Sequence, residues 1–190
     1  MPSIDVVIPA LDEESALPRV LSDSPRPPVR RVVVADNGSR DGTARVAREH
    51  GAEVVHEPER GYGAACLRAL EALASDPPDI VVFLDGDYSD HPDELPSLVA
   101  PIVDGKADLV IGSRATGRRE RGALSPQQRV GNAIASTALR VLYNVRYTDL
   151  GPFRAIRWST LSSLGMEDRN FGWTVEMQIK AAKQGVPHLE

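Results

Sequence analysis

Cysteine occurs once in this chain of 190 residues, so no internal disulfide can form and the sequence fits a reducing compartment. Cys66 lies in Ala64-Ala65-Cys66-Leu67, an apolar helical setting that suits a buried, inert thiol better than a reactive one. Basic charge is also short, with 22 Lys and Arg against 27 Asp and Glu, a net charge of -5. That balance excludes nucleic acid as the main partner, because phosphate binding is driven by a basic surface. No apolar run approaches the ~20 residues of a membrane span, and the N-terminus lacks a basic-then-apolar leader, so a cytoplasmic protein is expected. Neither Gly-x-Gly-x-x-Gly nor Gly-x-x-x-x-Gly-Lys-Ser/Thr occurs, which removes the usual dinucleotide and P-loop signatures. Neither His91 nor Cys66 completes a zinc pattern.

What is present is an apolar content of 42%, enough for one domain with a substantial core, and a regular alternation of segment types. Strands are expected at 4–8, 31–35, 53–56, 80–84 and 109–112, with helices between them at 13–21, 43–50, 62–74 and 92–103. This is the α/β pattern of a mostly parallel sheet flanked by helices. The stretch 113–122 has almost no apolar content and predicts a loop or lid. A helix over 126–143, a short strand over 153–156, a helical turn at 158–164 and a helix over 173–184 follow. Val186 to Glu190 opens what reads as another extended segment, so the natural protein is expected to continue past it.

Three of the expected strands end in polar, turn-forming sequence: Pro9-Ala10-Leu11-Asp12-Glu13-Glu14, Asp36-Asn37-Gly38-Ser39-Arg40-Asp41-Gly42 and Asp85-Gly86-Asp87-Tyr88-Ser89. In open α/β sheets ligands bind outside the carboxyl ends of the strands, where the strand order reverses. A reversal between the first strand and the 80–84 strand would gather all three loops around one crevice. The third is the most informative. Five apolar residues, Ile80 to Leu84, read as a strand buried on both faces, and it leaves the core into two carboxylates one residue apart. Such a pair needs a cation or a set of donors beside it, and Mg²⁺ or Mn²⁺ favours oxygen ligands held jointly with substrate phosphates. Asp-Gly is also ordinary turn chemistry. Asp36 can accept hydrogen bonds from a base or ribose, with Gly38 permitting close approach of a flat ligand, while Asp-Asn-Gly-Ser equally forms a turn with no ligand at all. Gly61-Tyr62-Gly63 can offer backbone N–H groups to a phosphate at a helix start.

In order and spacing, Val6 to Glu14, Val34 to Thr43, Gly61-Tyr62-Gly63-Ala64-Ala65, Phe83 to Asp87 and Gly112-Ser113-Arg114 resemble family 2 glycosyltransferases, in particular the dolichyl- or polyprenyl-phosphate sugar (mannosyl or glucosyl) transferase branch. The likeness covers nearly the whole chain. It implies a single GT-A domain with a Rossmann-like, mostly parallel sheet and a small antiparallel element on the acceptor side. Residues up to about 113 would bind the nucleotide sugar, and the remainder would face the acceptor. By motif, Pro9, Ala10, Leu11, Glu13, Asp36, Gly38, Gly63, Asp85 and Gly86 would contact a UDP- or GDP-linked sugar. Asp85 and Asp87 would face Mg²⁺ or Mn²⁺ and the diphosphate. Ser89 stands where the branch often has a metal-coordinating glutamine, so a water would bridge its shorter reach. Arg114 and Arg129, with Asn132 nearby, match positions associated with phosphate groups of donor or acceptor. The run Thr148 to Arg154 is one residue tighter than the branch's usual acceptor-side sequence.

The implied reaction is an inverting transfer of a hexose to a polyprenyl-phosphate-type acceptor; a small soluble acceptor such as a phosphorylated hydroxy acid is the alternative. A phosphate monoester, with a second pKa near ~6, needs positioning rather than deprotonation. A hydroxyl acceptor needs a general base, for which Asp149 and Glu176 are the candidates. Trp173 can stack on a sugar or fill the core. The acceptor branch leaves room for peripheral membrane association at the cytoplasmic face and for a homodimer. A sugar nucleotidyltransferase would carry a glycine- and arginine-rich loop after the first strand, which Pro9 to Glu13 does not match. A non-catalytic nucleotide-binding module would have little use for Asp85 and Asp87.

Overall fold

The computed structural model describes residues 1–112 and 151–190. In chain order the elements are β1 (Ile4–Ala10), α1 (Leu17–Asp23), β2 (Val29–Asp36), α2 (Thr43–Glu49), β3 (Glu53–His56), α3 (Tyr62–Leu73) and β4 (Ile80–Phe83). A 3-10 turn (Pro92–Glu94) then leads into α4 (Leu95–Val103), followed by β5 (Leu109–Ile111), β6 (Arg154–Arg157), α5 (Trp158–Leu164), α6 (Trp173–Lys183) and β7 (His188–Leu189). The polar stretch 113–122 and the helix expected over 126–143 lie outside the described residues.

The strands form one seven-stranded sheet in the order β3-β2-β1-β4-β6-β5-β7. β1 pairs in parallel with β2 on one side (Ile8 opposite Val34) and with β4 on the other (Val7 opposite Phe83). The chain therefore builds outward from β1 through β2 to β3, then returns to the opposite side of β1, which is the reversal the three polar loops require. β6 is antiparallel to both β4 and β5, in line with the antiparallel element that the resemblance implied. β7 continues the sheet parallel to β5.

All seven residues of β1 and all four of β4 are buried, as expected for strands covered on both faces. Their alternation divides the core in two. Val6, Ile8, Val34 and Val82 face Leu17 and Val20 of α1, Val46 of α2 and Leu98 and Ile102 of α4. Val7, Val33, Val81 and Phe83 face Ala65, Ala69 and Leu73 of α3, Leu161 of α5 and Trp173 and Met177 of α6. The result is a three-layer α/β/α sandwich. One acid is embedded in it: Asp5, fully buried in β1, accepts from Arg30 Nε (2.9 Å) and Nη2 (2.7 Å), the bidentate pairing that makes a buried carboxylate tolerable.

Element boundaries differ from the expected ones where proline or pairing decides. The first helix begins at Leu17, not at 13, because Pro18 lacks an N–H and is accommodated only in a first turn. β2 begins at Val29, two residues early, because its start pairs with Ile4.

Trp173 belongs to the core and not to a sugar-binding surface. It is 1% exposed, and its ring meets Phe83 edge-on at 6.0 Å between centroids. Trp173→Ala should therefore lower the unfolding free energy by roughly 3–5 kcal/mol in denaturant titration. Unchanged stability would show that the ring is not packed there.

Candidate active site

The β1 and β2 loops are fastened to each other before any ligand is considered. The Asp12 N–H donates to Ser39 Oγ (3.0 Å) and the Arg40 N–H to Asp12 Oδ1 (2.7 Å). Glu13 N–H donates to Thr43 Oγ1 (2.8 Å), Glu14 N–H to Asp41 Oδ2 (3.1 Å), and Gly42 N–H back to Glu14 Oε2 (2.9 Å). Asp12 takes a left-handed conformation, φ 58°, to make this exchange. Asp41 also accepts from the Thr43 N–H at the start of α2 (2.9 Å). The β4 loop closes on the same edge. Gly86 lies so near Glu13 and Ala10 that an added Cβ would stand 3.3 Å from Glu13 Cγ.

Between these loops is a cavity of about 420 Å³. Pro9, Ala10, Leu11, Glu13, Asp85, Gly86 and Asp87, all anticipated from the motifs, line it. Asp87 is exposed on its wall and Asp85 half-buried behind it. Burial, and then the charges of Asp87, Asp41 and Asp12, push the Glu13 carboxyl above its ordinary value. This is a strongly anionic wall of hard oxygen donors, and it suits Mg²⁺ or Mn²⁺. No group of three or more acidic, His or Cys side chains capable of caging a metal exists among the described residues. A cation here would accordingly share its coordination with a substrate, as Mg²⁺ usually does with phosphates.

The opposite wall was only partly foreseen. Asn37, Arg60, Gly61, Tyr62, Ala65, Asn170 and Phe171 complete the lining. Asn37 is buried and acts as a bracket: its Nδ2 donates to the carbonyls of Glu57 (3.1 Å) and Glu59 (2.7 Å), and its Oδ1 accepts from the Gly61 N–H (2.8 Å). Arg60 reaches over Gly38, donating to its carbonyl at 3.1 Å, and adds a cation to a lining that also holds Glu13, Asp85 and Asp87.

Several anticipated residues are placed elsewhere. Asp36 is 8% exposed and outside the lining; its Oδ1 accepts from the Ser39 N–H (3.0 Å) and its Oδ2 is 3.4 Å from His56 Nδ1, so the turn reading describes its present bonding. Gly38, with φ 81°, forms that turn beneath Arg60. Ser89 is exposed and also outside the lining, donating its N–H to Asp87 Oδ1 (2.8 Å). Gly61 and Gly63 do not present a phosphate loop. The N–H groups of Gly63 and Ala64 are spent on the carbonyls of Asn170 (3.0 Å) and Arg169 (2.9 Å). A Cβ on Gly63 would overlap the Asp168 carbonyl, and one on Gly61 the Arg169 carbonyl. The glycines are there so that residues 168–170 can lie directly on the start of α3. Cys66, fully buried on α3, has its thiol pushed up by burial, which keeps it inert.

Glu176 anchors that same segment. It accepts from the N–H groups of Glu167 (2.9 Å) and Asp168 (2.8 Å) and pairs with Lys180 at 2.7 Å. Burial raises its carboxyl, but the Lys180 and backbone hydrogen bonds outweigh that and hold it below the ordinary carboxylate value. A weakened base with its oxygens occupied is poorly suited to deprotonate an acceptor, so the general-base expectation for Glu176 is replaced by a structural one. Arg114, Arg129 and Asp149, expected to serve phosphate binding and base catalysis, lie outside the described residues.

Against known proteins, the family model for glycosyl transferase family 2 matches residues 5–165. An uncharacterized glycosyltransferase of Mycobacterium tuberculosis is 41% identical over 184 residues, 96% of this chain and 80% of its own length. An undecaprenyl-phosphate mannosyltransferase of Micrococcus luteus is 28% identical over 190 residues, 94% of this chain and 77% of its own. Among solved structures, glucosyl-3-phosphoglycerate synthase from Mycobacterium tuberculosis in complex with phosphoglyceric acid superposes with a TM-score of 0.79 at 30% identity, covering 99% of this chain and 69% of that one. The same synthase in complex with Mn²⁺, UDP and glucosyl-3-phosphoglycerate gives 0.78 at 27% identity, with the same coverage.

The Glu176 anchor carries a pH-dependent prediction. With its folded pKa depressed, the stabilisation it gives is complete above its ordinary value near 4.5 and is lost as the pH falls through the lower folded value. Glu176→Ala should cost about 2 kcal/mol at neutral pH and expose residues 165–172 to limited proteolysis. The gap from the unsubstituted chain should narrow as the pH drops below that range. A gap that stays constant would contradict the anchoring role.

Proposed function

The chain belongs to glycosyl transferase family 2, and on that basis we propose that it moves a hexose from a nucleotide-diphosphate sugar to an acceptor that presents a phosphate, with Mg²⁺ or Mn²⁺. The observation that carries this is the crevice at the β1/β4 reversal, lined together by exposed Asp87, neighbouring Glu13 and Arg60.

Pro9, Ala10 and Leu11 would form one apolar side of the nucleoside slot, with Asn37 and Gly61 on the other. Asp87, backed by Asp85, would hold the cation against the diphosphate. The bound cation supplies Lewis-acid neutralisation of the charge that develops on the departing diphosphate oxygen. Arg60 adds positive charge from the far wall and fixes the diphosphate's orientation through hydrogen bonds that a guanidinium can make in pairs. Loss of the diphosphate and attack on the opposite face of the anomeric carbon would invert that centre in one displacement. With Glu176 committed to the 165–172 segment, a phosphate acceptor, already ionised at neutral pH, fits the described residues better than a hydroxyl that needs a base.

Polyprenyl phosphate is our first assignment for the acceptor, supported by the undecaprenyl-phosphate mannosyltransferase relative. A small phosphorylated hydroxy acid is a second reading, supported by the likeness to glucosyl-3-phosphoglycerate synthase. No helix among the described residues is long and apolar enough to cross a membrane. Parallel assays with UDP- and GDP-linked hexoses, offering a polyprenyl phosphate in detergent or 3-phosphoglycerate in solution, separate the two acceptors. Transfer to neither, or only to an unphosphorylated hydroxyl, would contradict the proposal. Calorimetry with UDP tests the metal: affinity should rise with Mn²⁺ in the unsubstituted chain, and Asp87→Ala should abolish that rise while leaving the melting temperature within a few degrees.

A further inference from the structure

Asp87 can hold a metal only if the backbone that carries it is fixed, and its two neighbours are restrained in different ways. Gly86 has little room on its β1 side, where an added Cβ would stand 3.3 Å from Glu13 Cγ and 3.6 Å from Ala10 Cβ. Tyr88 takes a left-handed conformation, φ 64°, which is unusual for a bulky residue and persists only where surrounding contacts over-determine it. Those contacts come from α1. The Tyr88 hydroxyl donates to Asp23 Oδ2 (2.5 Å), and the Arg19 guanidinium lies 3.8 Å above the ring centroid. Arg19 and Asp23 also pair at 3.8 Å, one helical turn apart, and the ring packs against the α1-side core. The side chain thus points away from the crevice toward α1 while the residue before it faces the crevice.

We propose that Tyr88 is a positioning residue for the divalent-metal site: clamped by Arg19 and Asp23, it holds the left-handed turn that presents the Asp87 carboxylate to the crevice. The inference rests on the metal-dependent reading above. It makes the outer end of α1, which lines none of the cavity, a determinant of metal affinity. Asp23 is 40% exposed, so removing the tyrosine hydroxyl leaves it to water and not to an unpaired burial. The latch can therefore be cut without dismantling the core.

The test is calorimetric titration of Mn²⁺ into the full chain saturated with UDP, with melting temperature in parallel. Tyr88→Phe and Asp23→Ala should each weaken Mn²⁺ binding by roughly tenfold, the scale on which groups that orient a metal ligand act. The double variant should be no weaker than either single one, because both cut the same bond. Tyr88→Gly, free to take the left-handed turn, should bind Mn²⁺ more tightly than Tyr88→Ala. Melting should fall by no more than about 4 °C in the phenylalanine variant, which loses one hydrogen bond. Metal-free UDP affinity should not move. Mn²⁺ affinity equal to that of the unsubstituted chain in Tyr88→Phe and Tyr88→Ala would overturn the proposal. An unsubstituted chain that binds UDP no better with Mn²⁺ would overturn both it and the metal-dependent reading.

Discussion

The double pairing of β1 is the constraint on which the rest depends. Hydrogen-bonded in parallel to β2 on one edge and β4 on the other, β1 brings three loops out of the sheet in the same direction. Register does the remainder. With Ala10 opposite Asp36 the β1 and β2 loops leave at one height, while β4 ends earlier, with Phe83 opposite Val7, so that the residues after it run on beside the end of β1 toward the same edge. A strand so placed must be apolar on both faces. That is why its only charged residue, Asp5, is bound by Arg30 at the end of the sheet remote from the crevice.

The crevice is built by a division of labour among its polar groups. Asp12, Glu14, Ser39, Asp41 and Thr43 spend their hydrogen bonds on one another and make a rigid rim. Asn37 does the same for the far wall, and Glu176 for the segment that covers the start of α3. Asp87 and Glu13, in contrast, face the cavity, where burial first and then the repulsion of Asp87 and its acidic neighbours raise the Glu13 carboxyl. Concentrated negative charge of this kind is unfavourable on its own and becomes favourable with a cation and an anionic substrate present. Rigid surroundings keep that charge from relaxing away, which is the preorganisation a transfer reaction needs.

Much of this was legible in the chain. Alternating apolar segments specify the layers, and the abrupt passage from Phe83-Leu84 into Asp85-Gly86-Asp87 marks the site because no buried strand ends that way without a reason. Roles set by distant partners were not legible. Gly61-Tyr62-Gly63 has the local look of an anion-binding helix start, and only the arrival of residues 168–170, more than a hundred positions later, shows that its N–H groups are taken. Glu176 reads as a free acid near an aromatic until the Glu167 and Asp168 N–H groups are found on it. Trp173 likewise cannot be assigned to core or ligand without knowing that Phe83 lies opposite. Nothing about Tyr88 in isolation announces a left-handed backbone; the clamp from α1 makes it tenable.

On the reading proposed above, the carboxylate emerging from β4 holds a divalent cation shared with the donor diphosphate. Anomalous diffraction at the manganese edge from crystals containing UDP and Mn²⁺ tests it most directly. One manganese peak is expected within coordination distance of an Asp87 carboxylate oxygen and of the diphosphate. UDP bound in the crevice with no such peak, or with manganese away from Asp87, would contradict it.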